Sequence, residues 1–123
     1  MPVLHIDNSR NDNATLAEIE AAISRLDGAD RSLVLVELPS GMTLTVGGGP
    51  HRFVAEVAET DTTRFAVIDP ASGDDPIDLV VGGQLVDYPA RVCVGREAVL
   101  AAARTFVRQS GARDAGLTWS MET

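Results

Sequence analysis

At 123 residues and 45% hydrophobic composition the chain can bury a sizeable core, and it has no linker long enough to separate one domain from another, so one domain over 1–123 is expected. Ten Arg, no Lys and 18 acidic residues leave a net charge of −8, which disfavours direct binding to nucleic acid or an anionic membrane and fits either solubility alone or a basic partner. The charge is distributed: residues 1–60 hold 4 Arg against 9 acids and residues 61–123 hold 6 against 9, so it is not an acidic tail.

Residues 2–6 read as a short first strand and Asn8 to Asn13 as a polar turn. Thr15 with Glu18 three positions on has the form of a capping box, with Asn13 a competing cap. Leu16, Ile19, Ile23 and Leu26 then follow helical spacing, which predicts a helix over about 14–27, stopped by Gly28. Leu33-Val34-Leu35-Val36 is continuously apolar and predicts a central strand. After a turn at Pro39-Ser40-Gly41, Met42, Leu44 and Val46 alternate with Thr43 and Thr45. Gly47-Gly48-Gly49-Pro50 reads as a turn, followed by a strand alternating through Phe53, Ala55 and Val57. Arg64 to Ile68 predicts a further strand, ended by Asp69-Pro70.

Residues 71–75 read as a loop. Ile77 to Val81 and Gln84 to Tyr88 flank Gly82-Gly83, a pair suited to a two-residue hairpin. Residues 92–94 either extend the sheet or lead into a second helix, from about Arg96 to Gln109. Val99, Ala102, Ala103 and Phe106 form its apolar face, and Gly111 ends it. Leu117 to Met121 is a last short strand. Short turns between successive strands imply antiparallel pairing. The expected fold is α+β, a mainly antiparallel sheet of about six to seven strands with two amphipathic helices on one face.

The chemical inventory is nearly empty. The Gly47-Gly48-Gly49-Pro50 cluster lacks the Lys and Ser/Thr of a phosphate loop and precedes a strand instead of a helix. His5 and His51 have no second His or Cys at ligand spacing, so no metal site is expected. Ser40, His51 and Asp61 can be drawn as a triad, but no nucleophile elbow supports one. Cys93, flanked by Val92 and Val94, reads as a buried small hydrophobe in a reducing compartment. Asp74, Asp75 and Asp78, with Asp69 upstream, follow a calcium loop only loosely, and no closing Glu is in place. They read as an Asx-rich turn or as an acidic patch for a basic partner. Trp119 and Tyr88 are core residues or contact residues. No apolar run approaches the roughly 20 residues of a membrane span. Met1 to Asp7 lacks the basic and apolar regions of a signal peptide, so a cytoplasmic location is expected.

The last third carries a resemblance. Asp87-Tyr88-Pro89-Ala90, then Val92-Cys93-Val94-Gly95, then one amphipathic helix, Gly111 and a tail with Leu117, Thr118 and Trp119 resemble immunity protein family 1 of bacterial polymorphic toxin systems. The turn Leu38-Pro39-Ser40-Gly41 followed by Leu44-Thr45-Val46-Gly47 is similar to members from high-GC bacteria, and the absence of Lys fits that coding bias. The resemblance is best from Val81 to Trp119 and poor over the first 30 residues. It implies an α+β fold, no enzymatic activity, no cofactor, and binding to the toxin domain of a cognate secreted effector. Toxins of this kind are often nucleic-acid-directed deaminases or nucleases with basic substrate surfaces, which an acidic inhibitor would cover. The expected contacts are Asp74, Asp75, Asp78, Asp87, Tyr88, Trp119 and Glu122, with Glu37 and Glu56 next. Two other readings are a small enzyme or ligand-binding domain with a pocket between the sheet and the second helix, and a dimeric scaffold module.

Overall fold

Alternating apolar residues through the middle of the chain build the sheet. The computed structural model describes residues 2–7 and 9–122. In chain order the elements are β1 (Val3–Ile6), β2 (Ser9–Asn11), α1 (Leu16–Ser24), β3 (Leu33–Glu37), β4 (Thr43–Gly48), β5 (Phe53–Ala58), β6 (Arg64–Ile68), β7 (Pro76–Val81), β8 (Gln84–Pro89), α2 (Arg96–Arg108) and β9 (Thr118–Glu122). Seven strands pair antiparallel in the order β2-β1-β3-β4-β5-β6-β9. β7 and β8 form a separate two-stranded sheet. The α+β architecture with two helices is thus as expected, and the run of strands is divided between two sheets.

The register sorts the side chains into two faces. Val36 lies opposite Leu44 and Leu44 opposite Val57, while Val34, Val46 and Ala55 form the next row. All six are buried, and this face receives both helices. Ile19 and Ile23 of α1 and Val99 and Phe106 of α2 are wholly buried against it. Each large side chain removed from water this way contributes about 1.5–3 kcal/mol. An ion pair between Glu20 and Arg104 joins the two helices at their surface.

The N-terminus of α1 is set by local chemistry. The Thr15 Oγ1 accepts from the Glu18 N–H at 3.1 Å, and the Glu18 carboxylate accepts from the Thr15 N–H at 2.9 Å. Thr15, not Asn13, is therefore the cap. These bonds hold the Glu18 carboxyl below the usual range. The helix ends at Ser24, earlier than the 27 expected. The Asp27 carboxylate accepts from the Ala29 and Arg31 amides and draws the chain into a turn. Gly28, at φ 71°, therefore lies in a loop and does not stop the helix.

Two further expectations are corrected. The polar segment after β1 is not only a turn, because Ser9–Asn11 returns as an edge strand paired to β1. Asn8, included in that segment, lies outside the described residues, as do Met1 and Thr123. Gly47 and Gly48 are the last residues of β4, paired with Val54 and Phe53, so of this cluster only Gly49 and Pro50 lie in the turn, which continues through His51 and Arg52. A Cβ on Gly47 would stand 2.5 Å from Val81 Cγ1. Glycine is required here because the second sheet lies directly on this strand. Residues 90–92 form a short 3-10 turn, and Val94 makes a single bridge to Phe53 before α2 begins.

Candidate partner-binding surface

The β7–β8 hairpin lies on the sheet face that carries no helix. Gly47 faces away from the core side occupied by its neighbour Val46, and Val81 of β7 closes over it. Gly82 and Gly83, both at positive φ (61° and 81°), make the two-residue turn anticipated from their sequence. The tip is anchored to Ser32, a buried polar residue. Its Oγ accepts from the Gly83 N–H at 2.8 Å. Its carbonyl accepts from the Gly48 N–H at 3.2 Å.

The hairpin's two sides have different chemistry. Ile77 opposite Tyr88 and Leu79 opposite Val86 lie on the side of Val81, and Leu79 is buried. The other side carries Asp78 opposite Asp87 and Val80 opposite Leu85. Both aspartates are exposed, and Leu85 is 68% exposed. Like charges facing each other across a strand pair are destabilising by some tenths of a kcal/mol. The fold alone gives no reason for this pair. Among the described residues neither aspartate has a cation partner within salt-bridge distance, and neither does Asp75 at the hairpin base. Asp74 differs from them, being ion-paired with Arg91.

Beneath the hairpin is a cavity of about 260 Å³ whose polar lining includes Thr45, Glu56, Arg64, Tyr88 and Glu122. β4, β5, β6 and β9 present these groups from the helix-free face, where Thr45 pairs with Glu56 and Arg64 with Glu122. Arg64 Nη1 donates to Glu56 Oε1 at 3.1 Å. Glu122 is an exposed residue at the strand end, yet its carboxyl faces this cavity. Burial there, with hydrogen bonding to and repulsion from Glu56, pushes it up to about 7, against a smaller lowering by Arg64. Burial likewise raises the Tyr88 phenol, helped by Cys93, Glu56 and Glu122.

The structure therefore gathers most of the residues singled out in the sequence. Asp78, Asp87, Tyr88, Glu56, Glu122 and Glu37 belong to the hairpin or to the helix-free face, with Asp74 and Asp75 in the loop leading into β7. Glu37 sits 3.7 Å from His5 at the β1–β3 side. Trp119 lies apart. It pairs with Val67 on the helix face, packs against the core, and donates its indole N–H to the Asp114 carbonyl at 2.9 Å. Sequence reasoning passed over Arg64, Arg91 and Leu85. Their placement follows from strand register and loop contacts, and only the alternation of Leu85 with Asp87 could have signalled that one side of β8 faces outward.

The middle of the space between the sheet and α2, where an alternative reading placed a ligand pocket, is filled by Phe53, Val57, Val99 and Phe106, all wholly buried, while an open cleft of about 490 Å³ lies at the start of α2, lined by Arg52, Ile68, Asp69, Gly95 and Leu117 among others. Cys93 is buried, and burial raises its thiol despite nearby Arg52. Among the described residues no cluster of three or more His, Cys, Asp or Glu is placed to hold a metal, and no helix is long and apolar enough to cross a membrane. No curated protein matches the chain. The family model of Immunity protein Imm1, in contrast, matches residues 11–121, nearly the whole sequence, and the chain belongs to that family.

Proposed function

We propose that this protein neutralises a cognate bacterial toxin domain by binding it through the helix-free side, without catalysing a reaction. The observation that carries the reading is the outer side of the β7–β8 hairpin. There Asp78 faces Asp87 beside exposed Leu85 and half-buried Val80, with Asp75 at the base. An apolar contact surrounded by uncompensated carboxylates suits a partner whose surface is basic with an apolar notch. Long-range attraction speeds the encounter, and the desolvated apolar contact sets residence time. A basic docking face is what a nucleic-acid-directed deaminase or nuclease presents to its substrate, so the inhibitor would take the place of the phosphate backbone. The complex would form in the cytoplasm, where such a toxin acts.

The test is co-expression with the toxin domain of the effector encoded beside this chain. The native protein should restore growth and co-purify with the toxin domain. A pair of charge reversals, Asp78→Lys with Asp87→Lys, should leave the fold intact by circular dichroism and abolish protection. Failure of the native chain to bind or protect refutes the reading. Full protection by the reversed variant moves the interface off the hairpin.

A further inference from the structure

With both of its carboxyls ionised, the cavity beneath the hairpin holds one more negative charge than its own guanidinium balances. Two carboxylates, Glu56 and Glu122, line it with one guanidinium, Arg64, and Arg64 bonds to one oxygen of Glu56. A second cation would complete the set. An anion would meet two carboxylates, so the lining selects by charge.

We propose that this cavity is a slot for an arginine side chain of the protein partner, held by Glu122 and Glu56 and flanked by the Tyr88 ring. The proposal rests on the immunity reading for the source of the arginine and on this cavity alone for the chemistry. A planar guanidinium has five donors and can bridge two carboxylates. An aromatic ring beside it adds a cation–π contribution. A volume of about 260 Å³ holds such a group with its terminal methylenes. A divalent metal is the poorer match, since no third acidic, His or Cys ligand completes a cluster among the described residues.

The groups facing Glu122 define how the slot responds to pH. They are Glu56 from β5, Arg64 from β6 and Tyr88 from β8. Without a cation, Glu122 takes up a proton near pH 7 because burial disfavours its charged form, and because the proton bonds to Glu56 and relieves repulsion from it. An arriving guanidinium displaces that proton, so binding strengthens as pH rises through this range. Competition with one proton of that affinity weakens binding about tenfold between pH values of roughly 8 and 6.

The experiment is an NMR titration of the full chain with N-acetyl-arginine methylamide, with N-acetyl-leucine methylamide and calcium chloride as controls. The arginine amide should produce saturable shifts at the Glu56, Ala66 and Ser120 amides, while the Asp78 and Asp87 amides stay in place. Its apparent affinity should fall about tenfold on acidification over the range given, and Glu122→Gln should abolish saturation. Absence of saturable shifts at the alkaline end overturns the proposal. So does equal binding by Glu122→Gln, or calcium competing at the same resonances as strongly as the arginine amide. Glu122→Gln lies at an exposed strand end, and an unchanged spectrum elsewhere shows that it folds. Failure here leaves growth protection by the native chain unaffected, whereas failure of protection leaves the amide titration intact, so the two readings fall separately.

Discussion

The Ser32 hydroxyl accepts a 2.8 Å hydrogen bond from the Gly83 N–H, fastening the tip of the β7–β8 hairpin to the residue that precedes β3. A two-stranded ribbon is marginal by itself in water. Here it keeps its place by this clip, by Val81 seated on Gly47, and by backbone bonds at its base from Ala90 to Asp75 and Arg91 to Gly73, each 2.9 Å. Ser32→Ala should cost about 1 kcal/mol, the usual net worth of such a bond. Amide hydrogen exchange should report the loss as faster exchange in β7 and β8 with little change in β3 to β5. Unchanged protection in the hairpin would show that the clip does not hold it.

Gly47 tests how closely the two sheets approach. A Cβ would lie 2.5 and 3.0 Å from the two methyls of Val81 and 3.2 Å from the Ser32 carbonyl. Val81 is β-branched and stiff, so it cannot swing aside cheaply. Gly47→Ala should destabilise by about 1–3 kcal/mol, read from denaturant unfolding. Val81→Ala made in the same chain should recover some of that loss, giving a non-additive cycle. Additive costs would place the strain elsewhere.

Glu122 gives stability an unusual dependence on pH. Its folded value is near 7 against an ordinary 4.5, so the protonated form is the one the fold favours. The contribution is complete below the ordinary value and is lost as pH rises through the folded one. Because the residue is exposed, solvent screening holds the effect to the order of 1 kcal/mol. Glu122→Gln cannot ionise and should melt higher than the native chain near pH 8, with the difference closing near about pH 5. A constant difference across that range would contradict the assignment.

Asp78 and Asp87 oppose each other on β7 and β8, so removing one charge should separate stability from binding. Asp78→Asn should raise hairpin stability by some tenths of a kcal/mol. It should also slow association with the toxin domain at low salt, an effect that salt erases. A variant that is both more stable and equally fast would remove the hairpin from the interface.

Strand and helix positions were legible because they rest on local pattern. Thr15 and Glu18 cap α1 where their spacing placed a cap, and Gly82-Gly83 turns the hairpin. Apart from the end of α1, which the local Asp27 turn brings forward, the misplaced features are those settled by distant partners. Gly47 and Gly48 look like a turn, yet they pair with β5, and the reason for glycine at position 47 is Val81, far along the chain. Ser9–Asn11 is too short and polar to declare itself, and it becomes a strand only because β1 offers an edge.

The candidate surface divides in the same way. Sequence supplied the acidic residues, the lone cysteine and the absence of catalytic spacing, and those exclusions are properties of composition. It could not tell Asp74, paired with Arg91, from Asp75, which has no cation partner among the described residues. Nor could it move Trp119 to the helix face, because that follows from its register with Val67.

Residue types and their periodicity alone thus determined a charged, α+β protein with two apolar helix faces and a resemblance in its last third. Tertiary structure decided that one hairpin leaves the main sheet, which carboxylates lack a cation partner among the described residues, and that Glu56 and Glu122 share a cavity. The physical reason is range. Helix caps and turns are fixed by bonds spanning a few residues, whereas ion pairing and burial depend on which distant strands become neighbours.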